Sequence, residues 1–153
     1  MTQKGRRIER GALLSLAVPS NPEFLGVVRS TVASLAEVLG FASRDCRSVT
    51  LAVDEAMTNI IRHAYRSQKD RPINVICRRV HVRSNGDGKR RAGLEITLVD
   101  YGPAVDPTRL NARSLDEIKP GGLGLHFIRE SMDVVSYMRA GRANRLRMVK
   151  LLP

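Results

Sequence analysis

Asp54-Glu55-Ala56-Met57-Thr58-Asn59-Ile60-Ile61-Arg62-His63-Ala64-Tyr65 is the stretch on which the reading of this chain turns. Glu55 and Asn59 are spaced i and i+4, which stacks their side chains on one helical face, and Arg62 and His63 extend that face by a turn. The stretch closes a helix expected from about Ser43, a candidate N-cap, to about Tyr65, with Cys46, Val49, Val53, Ala56, Met57, Ile60 and Ala64 as its apolar stripe. Two chemistries fit the polar face. One is a solvated, hydrogen-bonded Glu–Asn pair; the other is a carboxylate base beside an amide oxygen able to ligate Mg²⁺.

Two further stretches lie downstream. Val99-Asp100-Tyr101-Gly102-Pro103-Ala104-Val105-Asp106-Pro107 puts a carboxylate at the mouth of an expected strand. It reads either as an ordinary Asx turn or as an acceptor for an exocyclic amine, one that accepts from adenine and repels the carbonyl of guanine. Pro120-Gly121-Gly122-Leu123-Gly124-Leu125-His126-Phe127-Ile128 opens a short helix, about 123–131, with glycines. Glycines let backbone N–H groups approach phosphate, and the helix start adds positive potential. The pattern is neither a Walker A loop, since no GK[ST] follows, nor GxGxxG after a strand.

The rest of the chain supplies a frame. Residues 11–18 (GALLSLAV) read as a strand ending at Pro19. Asn21-Pro22 starts a helix that runs to Gly40 on Leu25, Val28, Val32, Leu35, Ala36 and Leu39. Strands at 73–83 and 94–99 flank Asn85-Gly86-Asp87-Gly88, and strands at 133–138 and 145–152 flank Gly141-Arg142-Ala143-Asn144. Residues 101–122 form a long Gly- and Pro-rich loop, of a length that is usually functional. The order predicts an α+β two-layer sandwich, a mostly antiparallel mixed sheet with helices on one face.

Composition narrows the class. The 153 residues, 42% hydrophobic and 27% charged, suit a single globular domain (11–153) behind a flexible basic arm (1–10). Cys46 and Cys77 form no CxxC pair and lie in apolar runs, as reduced, buried thiols do. With no apolar run of membrane-spanning length and no signal-peptide pattern, a cytoplasmic location is expected. The formal net charge of +11 implies an anionic partner: nucleic acid, nucleotide phosphates or an acidic protein. A nucleic-acid reading rests on charge alone. It finds no helix-turn-helix, zinc-finger or RNP signal and leaves Asp100 and the glycines unexplained.

Taken together and in this order, DEAMTNIIRHAY, the Asp100 stretch and GGLGLHFI resemble the ATP-binding domain shared by gyrase, MutL, heat-shock chaperone ATPases and sensor histidine kinases, the GHKL or Bergerat fold. The short form is most similar to bacterial anti-sigma-factor serine/threonine-protein kinases, over nearly the whole chain. The resemblance implies Glu55 as general base, Asn59 as Mg²⁺ ligand, Arg62 facing phosphate, His63 lining the ligand, and Asp100 on the adenine amine. It further implies that Gly102 and Ala104 give the base room, that Gly121, Gly122, Leu123, Gly124 and Leu125 collar the triphosphate, and that 107–120 form a lid. The implied cofactors are ATP and Mg²⁺. The implied partners are an anti-anti-sigma (STAS-domain) substrate, a sequestered sigma factor and a second copy of the chain. An ATP-binding module that sequesters a partner without phosphoryl transfer is the alternative; a severed histidine-kinase domain lacks its phospho-acceptor helices. The chain departs from the family at Ala104, where a glycine is frequent, and in the last strand, where Arg145 and Leu146 stand near the place of a frequent Thr.

Overall fold

The computed structural model describes residues 9–83, 86–105 and 123–153. The expected arm up to residue 8, the expected lid at 107–120, Gly121 and Gly122 lie outside the described residues. In chain order the elements are β1 (Leu14–Pro19), a 3-10 turn (Pro22–Phe24), α1 (Leu25–Val38), α2 (Ser43–Asn59), a π-helical turn (Ile60–Ala64), β2 (Pro72–Arg83), β3 (Arg90–Asp100), α3 (Leu123–Ser131), β4 (Val134–Ala140) and β5 (Ala143–Leu151).

The five strands form one sheet in the order β1-β2-β3-β5-β4. All four pairings are antiparallel, so the sheet expected to be mixed is antiparallel throughout the described residues. Strand alternation sends Ile73, Val75, Cys77, Leu94, Ile96, Leu98 and Met148 to one side, where they pack with Val28, Val32, Val49, Val53, Met57 and Ile128 of the helices. The helices therefore cover one face. Across the other face Glu95 links Arg147 (2.6 Å) and Arg78 (3.7 Å), and Glu9 pairs with Arg78.

Several boundaries differ from the sequence expectation, each for a local reason. Ser43 does not cap α2; Ala42 holds the extended N-cap backbone and gives no side-chain bond. Asn21 does cap, accepting from the Glu23 N–H at 3.2 Å, but into a 3-10 turn rather than directly into α1. The helix expected to reach Tyr65 leaves α geometry at Ile60. Strand β3 begins at Arg90, because Arg90 and Arg91 pair with Arg83 and Val82. The last hairpin turns on Gly141 (φ +59°) and Arg142 alone, so Ala143 and Asn144 belong to β5. That shift matters: it sets Asn144 directly opposite Asp100.

Candidate functional site

The site is built along α2 and the wide turn that follows it. In that turn the Tyr65 N–H reaches back to the Ile60 carbonyl (2.9 Å) and the Ser67 N–H to Ile61 (2.7 Å). Wide turns of this kind insert a residue into the helix and re-aim the chain beyond it. Here the turn lowers the buried Tyr65 ring between two strand ends. Its hydroxyl donates to the Pro72 carbonyl at the start of β2 (2.6 Å) and accepts from the Tyr101 N–H just beyond β3 (2.8 Å). Burial pushes the phenol above its ordinary pKa, with the Asp100 charge adding to the rise and the Tyr101 hydrogen bond opposing it.

Two glycines seat the loop ends on this helical spine. A Cβ at Gly102 would meet the Ala64 Cβ at 2.7 Å and the Ala64 carbonyl oxygen at 2.9 Å, so β3's exit lies flush against the wide turn. A Cβ at Gly124, in the first turn of α3, would fall 2.8 Å from Glu55 Oε2 and 3.1 and 3.2 Å from the Asn59 amide atoms. Asn59 and Ala64 are separated by roughly 7 Å along a helical axis. The helix-borne acid and amide, the strand-end aspartate and the last glycine of the collar therefore meet around one length of helix.

Asp100 is 6% exposed. Its Oδ1 accepts from the Gly102 N–H (2.8 Å) and from Asn144 Nδ2 (2.8 Å). The Gly102 bond is an Asx turn, so that reading of the sequence holds; it occupies one oxygen. Among the described residues no hydrogen bond reaches Oδ2. Glu55 likewise has no hydrogen-bond or ion-pair partner among the described residues, whereas its neighbour Asp54 is tied to Arg29 on α1 (2.9 Å).

The remaining expected residues separate. Arg62 and His63 are exposed and without a polar partner among the described residues, and Ala104 is exposed on the turn beyond β3. The partly buried Leu125 side chain packs against the core. Leu123 opens α3. Asn144, not Arg145 or Leu146, stands beside Asp100. Sequence reasoning missed Tyr65, Tyr137, Arg139 and Asn144 as site residues. A shorter hairpin turn would have placed the last three, while Tyr65 had no local signal.

Among the described residues no group of three or more His, Cys, Asp and Glu could cage a metal ion. One amide oxygen at Asn59, in the cradle that a Gly124 side chain would fill, fits Mg²⁺, a hard ion that keeps water and phosphate oxygens as its other ligands.

The described residues hold no helix long and apolar enough to cross a membrane. Comparison with known proteins bears on the family and the fold. The chain is similar to the serine-protein kinase RsbW of Halalkalibacterium halodurans, 29% identical over 154 residues, covering 95% of this chain and 87% of that protein. It is similar to the protein of that name from Oceanobacillus iheyensis, 28% identical over 130 residues, covering 80% and 76% of the two chains. Among solved structures it superposes on a chain of the SiaB–SiaC complex of Pseudomonas aeruginosa with TM-score 0.60 and 16% identity, over 91% of this chain and 89% of that one. A Mycobacterium tuberculosis structure of RsbU and RsbW domains gives TM-score 0.57 at 15% identity, over 92% of this chain but 33% of that longer one. The last two establish the Bergerat fold. The profile of the histidine kinase-like ATPase domain matches residues 18–150, a span that contains every element seated around α2. With the helix pair, the strand-end aspartate and the glycine-opened helix in place within that span, the chain belongs to the histidine kinase-like ATPase domain family.

Proposed function

We propose that this chain is an ATP-dependent serine/threonine-protein kinase of the anti-sigma-factor type, which phosphorylates a STAS-domain anti-anti-sigma protein and sequesters a sigma factor. The observation that carries the reading is the seat of Gly124 on Glu55 and Asn59. It brings a carboxylate and an amide oxygen against the first turn of α3, and a helix start is a place where a triphosphate can be held. Asp100, beside the Gly102 contact on the same helical spine, is read as the acceptor for the base.

In this pocket Asp100 Oδ2 accepts from the adenine amine, and Gly102, lacking a side chain, leaves room for the ring. The α3 N-terminus and the glycines before it hold the phosphates. Asn59, together with phosphate oxygens, would hold Mg²⁺, which would supply charge compensation for the transferring group. Glu55 takes the proton of the attacking Ser or Thr hydroxyl. Phosphoryl transfer asks mainly for such positioning and charge compensation. The relatives named serine-protein kinase RsbW support the transferase reading, and the +11 charge supports an acidic protein partner. A cytoplasmic location and a homodimer complete the proposal.

The test is incubation of the chain with [γ-³²P]ATP, Mg²⁺ and a STAS-domain protein encoded beside it. Acid-stable label on a Ser or Thr of that protein is expected. Tight Mg-ATP binding with no label on the partner would instead mark the chain as a sequestering module.

A further inference from the structure

The cluster on the β4–β5 hairpin beside Asp100 has chemistry of its own. Asn144 is 1% exposed. Its Nδ2 faces three acceptors: Asp100 Oδ1 (2.8 Å), the Gly102 carbonyl (3.1 Å) and the Pro103 carbonyl (3.1 Å). Its Oδ1 faces two donors, the Tyr137 hydroxyl (2.6 Å) and Arg139 Nη1 (2.6 Å). Turning the amide over would set oxygen against three acceptors and NH₂ against the guanidinium. A hydroxyl can rotate to accept, but a guanidinium has no acceptor, so on the Oδ1 side Arg139 opposes the flip, together with the three acceptors on the Nδ2 side. Arg139 also donates to the Gly102 carbonyl (3.1 Å), and the Tyr137 hydroxyl accepts from the Val105 N–H (3.3 Å).

We infer that Arg139, Tyr137 and Asn144 are positioning residues that decide which oxygen of Asp100 a ligand meets, and thereby set a preference for adenine over guanine nucleotides. The inference rests on the adenine reading of Asp100 given above. With the amide locked, Oδ1 is held by two donors and the carboxylate plane cannot turn. Oδ2 is then presented as a fixed acceptor, matched to an amine and opposed to a carbonyl. If the amide flips or is lost, Oδ1 keeps only the Gly102 N–H, the carboxylate rotates, and water can bridge it to either base.

The experiment measures dissociation constants of Mg-ATP and Mg-GTP by calorimetry for the wild-type chain and the variants R139M, R139K, Y137F and N144L. The readout is the ratio of the two constants, which a loss of general stability would not move. The wild type is expected to favour ATP. R139M and N144L should reduce the preference by about 10-fold, the scale of one charge-assisted hydrogen bond. Y137F should reduce it less, and R139K, which keeps a donor with no acceptor, should retain most of it. Arg139 is exposed, so R139M carries the test even if N144L does not fold. A preference that survives in folded R139M overturns the positioning role and leaves the adenine assignment standing. A wild-type chain that binds both nucleotides equally overturns the adenine assignment and this inference with it.

Discussion

Glu55 and Asp100 are both carboxylates, and what already holds each of them separates their roles. Asp100 is pinned through Oδ1 by two N–H donors, so its replacement by Asn has one stable orientation. The new amide oxygen must take the place facing Gly102 and Asn144, and the NH₂ must then point where the ligand's amine arrives. Asp100→Asn should therefore weaken Mg-ATP binding by roughly 10- to 100-fold, as a donor meets a donor in place of a charged acceptor. Equilibrium dialysis checks this, and an unchanged affinity would take adenine away from Asp100. Glu55 has no such tie among the described residues, which suits a group that must receive a proton. Glu55→Gln should keep ATP affinity and lose at least about 10²-fold in transfer to the STAS protein, the scale of general-base catalysis. Single-turnover labelling is the measurement; unaltered transfer removes Glu55 from that role. Both residues were legible in the sequence because helix spacing and a strand end fix them locally. Asn144 was not, because its place depends on the β3–β5 cross-strand register, and the Gly-Arg-Ala-Asn sequence suggests a turn where β5 has already begun.

Among the elements, α2 with its wide turn is the ruler against which the others are set, and two glycines mark the points of contact. They predict opposite outcomes. An alanine at Gly102 would drive its methyl into the Ala64 Cβ and carbonyl, which are held in the wide turn and cannot swing aside. Gly102→Ala should therefore destabilise the fold by about 1–3 kcal/mol, the usual cost of overpacking, visible as a lowered urea midpoint. An alanine at Gly124 meets only the ends of the Glu55 and Asn59 side chains, which can rotate away. Gly124→Ala should leave the urea midpoint nearly unchanged yet cut phosphoryl transfer by about 10-fold or more, because displaced catalytic groups forfeit alignment. A variant that loses stability but transfers normally would contradict this geometry. The helices, strands and their order were readable from periodicity and turn residues. The π-helical turn was not: nothing in Ile60-Ile61-Arg62-His63-Ala64 disfavours α geometry. Tyr65 secures it from outside, through bonds to strand ends that are remote from it in sequence.

At the scale of the whole molecule, the sheet buries Cys77 on β2, its second strand, between Leu14 on β1 and Ile96 on β3. Burial alone pushes this thiol from an ordinary value of 9.0 up to about 12. Tyr65, raised above its ordinary 10.0, titrates in the same direction. In alkaline solution the unfolded chain releases these protons before the native chain does, so the native state holds more protons and stability must fall as pH rises. The contribution of both groups is fully present at neutral pH. That of Cys77 declines from about pH 9 and is exhausted only near pH 12. Urea midpoints measured under reductant between pH 7 and pH 11 should thus stay level at first and then drop steadily. Cys77→Ala should start lower, through the lost packing of a buried sulfur, but decline less steeply, because the linked proton of Cys77 is gone. The native thiol should also resist alkylation at pH 8, where a thiol of ordinary pKa reacts readily as its thiolate. A slope identical in wild type and Cys77→Ala would mean that β2 opens to solvent without global unfolding. The core that holds β3, and with it Asp100, in register would then be looser than its packing indicates.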